Sequence, residues 1–592
     1  SAEKGRRMIL NQNEKNSLMD KWDQNKVNEL NTRGNTSRRD SVRSANAVAV
    51  CAIADAVRSC LGPYANDHLI IDTLNGNSIL TSHGATIAAS ISSTHPAANI
   101  LLAAASAQHS IAGDGSVSVI LLCAELIKRA YLLLEHSKLH VQILIRGYHL
   151  AMREACRTFS IPNANMVMWT DKTPRGLALM AAITALNSSI LSKIDAPRFA
   201  IMIVDAVLSS IPRQRKQVKP DDPTRAADLS NMHDIHILAI HGGSLTESKL
   251  MPGYVLDRPL ASPSMLQRIT PARIACIEVS LTQRRLPFGV SVADDTRLNE
   301  TEVFLGRKRV LAILRAGANL ILSTHRIDSV ARRCCIESGA LAVQYVDPED
   351  IERIARSCGA VVQRCITDLT GDDVFDSTCL GSAEEVRTDS MNHRRVVILR
   401  GCRQVPLSTV VLRGPSNLLL EEVTRTIRHT AGVISRVLTS GGAVVPGGGA
   451  AEASISAHLE DLARLLVSRE QCAVAAFSQA LLCIPRQLLL NSRHSASRII
   501  ETMSSLQAVH AAARRPPAAH SIGKHFGLNL DTGTLRNSYS VGVIEPISTK
   551  LYVIRIATET AISILRIDDY YRDSIPRSVP NRINSEDCGM SR

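Results

Sequence analysis

Residues 112–120 read AGDGSVSVI and residues 444–452 read VVPGGGAAE. Each stretch is a glycine turn that runs straight into an apolar segment with helical spacing. The first turn of a helix leaves backbone N–H groups without intrahelical partners, and the helix dipole adds partial positive charge at that end. Glycine lets an anion come close to this backbone, so each junction is a ready phosphate site. Two such junctions, hundreds of residues apart, predict one nucleotide pocket assembled from both halves of the chain.

At 592 residues the chain exceeds a single hydrophobic core, and two to four domains are expected. Hydrophobic residues make up 45% and charged ones 21%, the balance of a soluble globular protein. The net charge of +13 permits contact with nucleic acid or acidic partners. However, the basic residues are scattered, with only short runs such as Arg284-Arg285 and Arg394-Arg395, and aromatics are only 3%. A surface on which bases stack needs more aromatic side chains than that, so nucleic acid is not an expected partner. Fourteen cysteines show no CxxC pair and no regular spacing, which argues for reduced thiols in a cytoplasmic protein rather than a zinc site or disulfide frame. The longest apolar run, Val117 to Leu134, is interrupted by Glu125, Lys128 and Arg129, and the N-terminus has no apolar leader segment, so no membrane span and no secretion signal are expected.

Apolar spacing divides the chain into three styles. Residues 1–40 are rich in Asn, Lys, Arg and Ser and read as a mobile basic tail. From about 42 to 165 the period is helical, as in Val48-Ala49-Val50, Ile53-Ala54 and Ile120-Leu121-Leu122. From about 235 to 390 short β-rich runs (Ile235 to Ile240, Ile274 to Leu281, Leu320 to Ser323, Leu341 to Val346) alternate with helical stretches such as Ile327 to Ser338. After about 440 long helical patterns return, at Ala450 to Leu466 and Ala473 to Leu490. Helical, then α/β, then helical again predicts a discontinuous domain whose two halves meet in space.

Around these turns further segments occur in a fixed order: Leu61-Gly62-Pro63, TSHGATI (Thr81 to Ile87), HPAA (His95 to Ala98), GDGSVSV (Gly113 to Val119), IRGY (Ile145 to Tyr148), SREQ (Ser468 to Gln471), GVIEP (Gly542 to Pro546) and ATETAISILRIDD (Ala557 to Asp569). About ten such segments over residues 41–572 resemble the group II chaperonins, the t-complex polypeptide family of the eukaryotic cytosol, and most resemble its alpha-type branch. The resemblance implies the group II chaperonin fold: a mainly α-helical discontinuous equatorial domain (41–165 and 441–572), a small α/β intermediate domain (166–234 and 391–440) and an α/β apical domain (235–390), with a C-terminal tail over 573–592. It also implies ATP and Mg²⁺ as cofactors. Other chaperonin subunits in a double ring, sixteen in all, and unfolded client proteins, such as actin and tubulin in the family, are the implied partners. Residue by residue, Leu61, Gly62 and Pro63 with Gly84, Gly113, Asp114, Gly115, Ser116, Val117 and Ser118 would hold phosphates, and Asp114 would be the magnesium ligand. Gly447, Gly448 and Gly449 would approach the nucleotide from the other half, and Glu545 would match an acidic ribose contact.

Several departures from the family pattern bear on activity. The family's TNDGATI reads TSHGATI, with His83 in the acidic position, and a second acid that orients the attacking water pairs with His429 in RTIRHTAGVISRVL. A neutral imidazole accepts a proton but lacks a carboxylate's fixed charge and hard oxygens. GDGTTS becomes GDGSVS, so Val117 replaces a hydroxyl, and Tyr64 stands where the family has a basic residue. ATP hydrolysis by this subunit is therefore expected to be slow or absent while some nucleotide binding survives. The chain has no GxxxxGK[ST], since Gly448 follows Gly447 where lysine is needed. Between Phe288-Gly289 and Gly317 it is a few residues shorter than the family, and the apical protrusion is expected to be truncated. Two readings stay open: a ring subunit driven partly by its neighbours, or an ATPase-dead scaffold acting outside the ring. A metal hydrolase built on His83 and His429 lacks a third ligand.

Overall fold

A computed structural model describes residues 35–569 apart from 72–75, 77, 138, 161–173, 192–194, 210–234, 280, 282–305, 366–374, 393, 403, 405–406, 441 and 515–522. Most of the basic tail, the segment expected to carry the protrusion, and the C-terminal tail lie outside the described residues.

In the first part of the chain, helices α1 (Asn35–Val57), α2 (Gly84–Ser90), α3 (Pro96–Ala112), α4 (Ser116–Ser137) and α5 (Val141–Ser160) succeed one another, with an antiparallel pair, β1 (His68–Ile71) and β2 (Ser78–Thr81), before α2. Helix α4 is the axis of this part. Its run Val119, Ile120, Leu122 and Leu126 is fully buried, because α1 and α3 pack on it together with two helices from the far end of the chain. A helix that is apolar on nearly every side is stable only when surrounded in this way. Each such side chain contributes ~1.5–3 kcal/mol on burial. At the rim, Glu125 pairs with Arg129 at 2.8 Å, and Arg129 also donates to Gln479. These are the same charges that interrupt the apolar run in the sequence.

Helices α6 (Pro174–Leu186) and α7 (Ala196–Ser209) open a second region, which is completed by the sheet β3 (His236–His241), β13 (Ser408–Gly414) and β4 (Lys249–Pro252) and by the long helix α10 (Asn417–Thr439). Strand β13 runs parallel to β3 and antiparallel to β4. Between the two halves of that region lies a third one. There β7 (Ala272–Ile277), β8 (Leu320–Ser323) and β9 (Leu341–Val343) are parallel, with β10 (Gly381–Ala383) antiparallel at the edge, and helices α8 (Ser329–Glu337) and α9 (Pro348–Cys358) cover them. A second sheet in the order β5 (Tyr254–Leu256), β12 (Arg394–Arg400), β11 (Glu385–Met391), β6 (Arg268–Ile269) joins the same apolar core. The strands are shorter than their apolar runs. Strand β9 stops at Val343, and Tyr345 turns the chain with φ 57°.

The chain then returns to the first core through β14 (Val444–Pro446), α11 (Ala450–Leu465), α12 (Glu470–Leu481), α13 (Cys483–Asn491), α14 (Ala496–Ala512), the hairpin β15 (Phe526–Asn529) and β16 (Thr534–Asn537), the short α15 (Ser538–Val541), β17 (Ile544–Pro546) and α16 (Ile547–Leu565). One apolar cluster takes residues from both ends, from Ala47 to Phe159 and from Val445 to Leu565. The pattern over Ala473–Leu490 reads as one helix, yet the chain breaks at Leu482. Pro485 has no N–H to continue the ladder and is tolerated in the first turn of a new helix. An 18-residue window within Glu470–Asn491 is apolar enough by composition to cross a membrane, with mean hydropathy 1.5, but 56% of that window is buried inside the protein.

Candidate nucleotide site

Both halves of the helical region, the 174–186 helix with the turn that follows it, and the 417–439 helix converge on a cavity of about 420 Å³. Leu61, Gly62, Pro63, Gly84, Asp114, Gly115, Ser116, Val117, Ser118, Gly448, Gly449 and Glu545 line it, as do His83 and His429. Gly113 and Gly447 are not among the lining residues. Gly113 is the C-cap of α3, and Gly447 packs against Glu545.

Helix α4 begins at Ser116, so the N–H groups of Ser116, Val117 and Ser118 have no partner within their helix and are available to an anion. Gln108, fully buried, donates to the Asp114 carbonyl at 2.8 Å and fixes the turn in place. Val117 presses on the loop across from it. A Cβ on Gly84 would stand 2.2 Å from the Val117 side chain, so only glycine fits there. From the other half, Gly449 caps α11 at φ 79°, and a Cβ added to it would come within 2.6 Å of Pro485.

The TSHG loop is fastened to α10. Glu422 Oε1 accepts from Thr81 Oγ1 (3.1 Å) and from the Ser82 N–H (3.2 Å), while Glu422 Oε2 pairs with Arg425 at 2.6 Å. Burial raises the Glu422 pKa, opposed by the Ser82 N–H and by Arg425. Glu422, Thr426, His429 and Val433 all line the cavity. Their spacing of four, three and four residues places them on one face of α10. That spacing was a usable signal for Glu422 and Thr426, which reasoning from motifs passes over.

Three imidazoles gather beside Asp114. His83 sits edge-on to His109 (ring centroids 4.9 Å apart) and to His429 (5.1 Å). His429 Nε2 is 3.3 Å from Asp114 Oδ1, close enough for an ion pair but out of line for a hydrogen bond. Burial, the neighbouring His429 and His109 push the His83 pKa down to about 3, so it is neutral at physiological pH. Burial likewise lowers His109. For Asp114, burial would raise the pKa, but His429 and the Gly115 N–H outweigh it, and the carboxyl is held well below the usual range. His109, on α3, carries no motif and was not visible as a site residue.

Glu545 is engaged inside the chain. Its Oε2 lies 2.7 Å from Lys550 Nζ, which also lies 2.6 Å from Glu452 Oε1. Burial opposes the ammonium charge, yet Glu452 and Glu545 together outweigh it and raise the Lys550 pKa. Tyr64, in place of a basic side chain, donates to Asp531.

Among the four lining carboxylates, Glu422 is taken by Thr81, Ser82 and Arg425, Glu545 by Lys550 and Asp531 by Tyr64. Asp114, with 38% of its side chain exposed, lies beside His429 and accepts from the Gly115 N–H, and it is the lining carboxylate that could hold Mg²⁺. One carboxylate with phosphate oxygens and water is an ordinary Mg²⁺ set, whereas imidazoles are poor ligands for so hard a cation. Among the described residues, no group of three or more His, Cys, Asp or Glu side chains is arranged to hold a metal ion by itself.

Residues 53–573 match the model of the TCP-1/cpn60 chaperonin family. The chain is 36% identical to the T-complex protein 1 subunit alpha of Arabidopsis thaliana, over 90% of this chain and 96% of the relative. It is 35% identical to the subunit of the same name from Dictyostelium discoideum, over 90% and 94%, and 32% identical to the thermosome subunit beta of Aeropyrum pernix, over 90% and 91%. With the glycine turns of both halves on one cavity, these matches over nearly the whole length show that the chain belongs to the TCP-1/cpn60 chaperonin family, as a divergent chaperonin subunit similar to the alpha subunits.

Proposed function

We propose that this chaperonin subunit binds ATP in the 420 Å³ cavity, hydrolyses it slowly or not at all, and acts in the cytoplasm within a double ring whose other subunits supply most of the turnover. The observation that carries this reading is that glycine turns from both halves line one cavity together with His83 and His429, which stand where the family resemblance implies carboxylates. The N–H groups at the start of α4 and the Gly448-Gly449 turn would take the phosphates, and Asp114 would hold Mg²⁺, which neutralises charge between phosphate oxygens when bound. His83 is a neutral imidazole and supplies no fixed negative charge to orient water. In a ring, closure is a coupled conformational change, and a subunit with a weak site follows its neighbours through shared interfaces. The helical core, the β3–β13–β4 region and the β7–β10 region would then serve as the equatorial, intermediate and apical domains, the last facing unfolded clients.

Native mass measurement of the tagged full chain from its own cells, with mass spectrometry of co-purifying proteins, tests the assembly. Recovery near a megadalton with other chaperonin subunits is expected. Migration alone or with unrelated partners would instead support a scaffold outside the ring.

A further inference from the structure

Outside the cavity, two cysteines meet that the sequence keeps 44 residues apart. Cys358 closes helix α9, and Cys402 lies two residues beyond the end of β12. Their Sγ atoms are 3.1 Å apart. Both ends of the contact are held. Cys358 is buried against Gly381 of β10, where a Cβ would stand 2.8 Å from its own, and the Gln404 N–H donates to the Ser357 carbonyl at 3.1 Å, pinning the segment after β12 to the end of α9. A disulfide bond is ~2.05 Å long, so closure asks the two sulfurs to approach by about 1 Å.

The two thiols are unequal. Cys402 is half-buried and Cys358 is 3% exposed. The contact with Cys358 lowers the Cys402 pKa, and the same contact, with burial, raises that of Cys358. The more accessible thiol is the one that meets an oxidant, and the buried one resolves it.

We propose that Cys358 and Cys402 are a peroxide-oxidised pair, with Cys402 the attacking and Cys358 the resolving sulfur. The Cys402 thiolate attacks one oxygen of hydrogen peroxide; the O–O bond breaks, hydroxide leaves and is protonated to water, and Cys402 becomes a sulfenic acid. The Cys358 sulfur then attacks Cys402 Sγ, the S–O bond breaks, and the leaving hydroxide takes the Cys358 proton as a second water. Two thiols lose two electrons in all, and one peroxide becomes two waters. The bond fastens α9 to the segment that leads from β12 to β13, where the chain passes from one apolar core to another. Transient disulfides of this kind are the form that oxidative regulation takes in a reducing compartment.

The test treats the purified, reduced full chain with hydrogen peroxide, alkylates free thiols, and maps them by mass spectrometry after digestion. The expected result is a peptide cross-linked through Cys358 and Cys402, with both losing alkylation together and regaining it after dithiothreitol. In Cys358→Ser, dimedone is expected to trap a sulfenic acid on Cys402; in Cys402→Ser, Cys358 stays alkylatable after denaturation. The proposal is overturned if Cys358 and Cys402 remain alkylatable at peroxide doses that oxidise the exposed Cys365 and Cys472, or if Cys402 advances to a sulfinic acid with no cross-link.

Discussion

Replacing Lys550 with methionine removes the cation shared by Glu452 and Glu545 while keeping the length and apolar bulk of the side chain. Lys550 is 11% exposed, Glu452 5% and Glu545 25%, so the two acids would face each other with little water to separate them. Breaking a buried ion pair costs ~3–5 kcal/mol, and the partial exposure of Glu545 puts the expectation near the lower end, at about 3 kcal/mol. Burial already raises the Glu545 pKa, and without the ammonium it rises further. The folded variant would then bind more protons than the unfolded chain above the ordinary carboxylate range, so its stability falls as pH rises from 5 to 7.5. In the native protein the raised Glu545 pKa gives a slope of the same sign, but a smaller one, because the Lys550 ammonium offsets part of the effect of burial. Because the chain contains several cores, a single melting temperature blurs the effect. Hydrogen exchange along α16 and β14 at pH 5.5 and 7.5 reads it locally. A variant that loses less than about 1 kcal/mol of protection at both pH values, or the same amount at each, would show that Lys550 does not hold the two acids in this way.

Glu422→Ala takes the acceptor from the Ser82 N–H and leaves Arg425 with Glu421 and the Leu80 carbonyl, and the expected cost of ~1–3 kcal/mol should appear as faster exchange over residues 81–84, with weaker nucleotide binding by calorimetry. Gly449→Ala forces a side chain into φ 79° against Pro485; a loss of ~1–3 kcal/mol and a weaker nucleotide affinity are expected, and unchanged binding would count against the phosphate role of this turn. His83, held neutral with a pKa pushed down to about 3, contributes stability that is complete above its unfolded value near 6.5 and is lost as pH falls toward 3. Accordingly, His83→Asn should flatten the acid side of the stability profile by one proton, as followed by circular dichroism.

The glycine turns were legible because the chemistry of a helix start is local: the residues that make Gly113-Asp114-Gly115 and Gly447-Gly448-Gly449 special lie within a few positions of them. The alternation of helical and β-rich stretches was legible for the same reason, through apolar period. What sequence spacing could not deliver was pairing across distance. Glu452 and Lys550 are 98 residues apart, and nothing in GVIEP announces that the Glu545 carboxylate turns to Lys550. Cys358 and Cys402 carry no CxxC signature, and His109 joins His83 and His429 only once α3 and α10 have packed. Two signals were present in the sequence and unused: the four-three-four spacing of Glu422, Thr426, His429 and Val433, and Pro485, which marks the break between α12 and α13.

Single-turnover assay of the purified chain with Mg²⁺ and radiolabelled ATP, run beside the His83→Asp/His429→Asp variant, reads whether the site holds ATP without hydrolysing it efficiently. Both are expected to bind ATP, with the native chain releasing phosphate ~10²–10⁴-fold more slowly than the variant that carries the carboxylates. Phosphate release by the native chain that matches the variant's, and that disappears on Asp114→Ala, would contradict slow hydrolysis at this site.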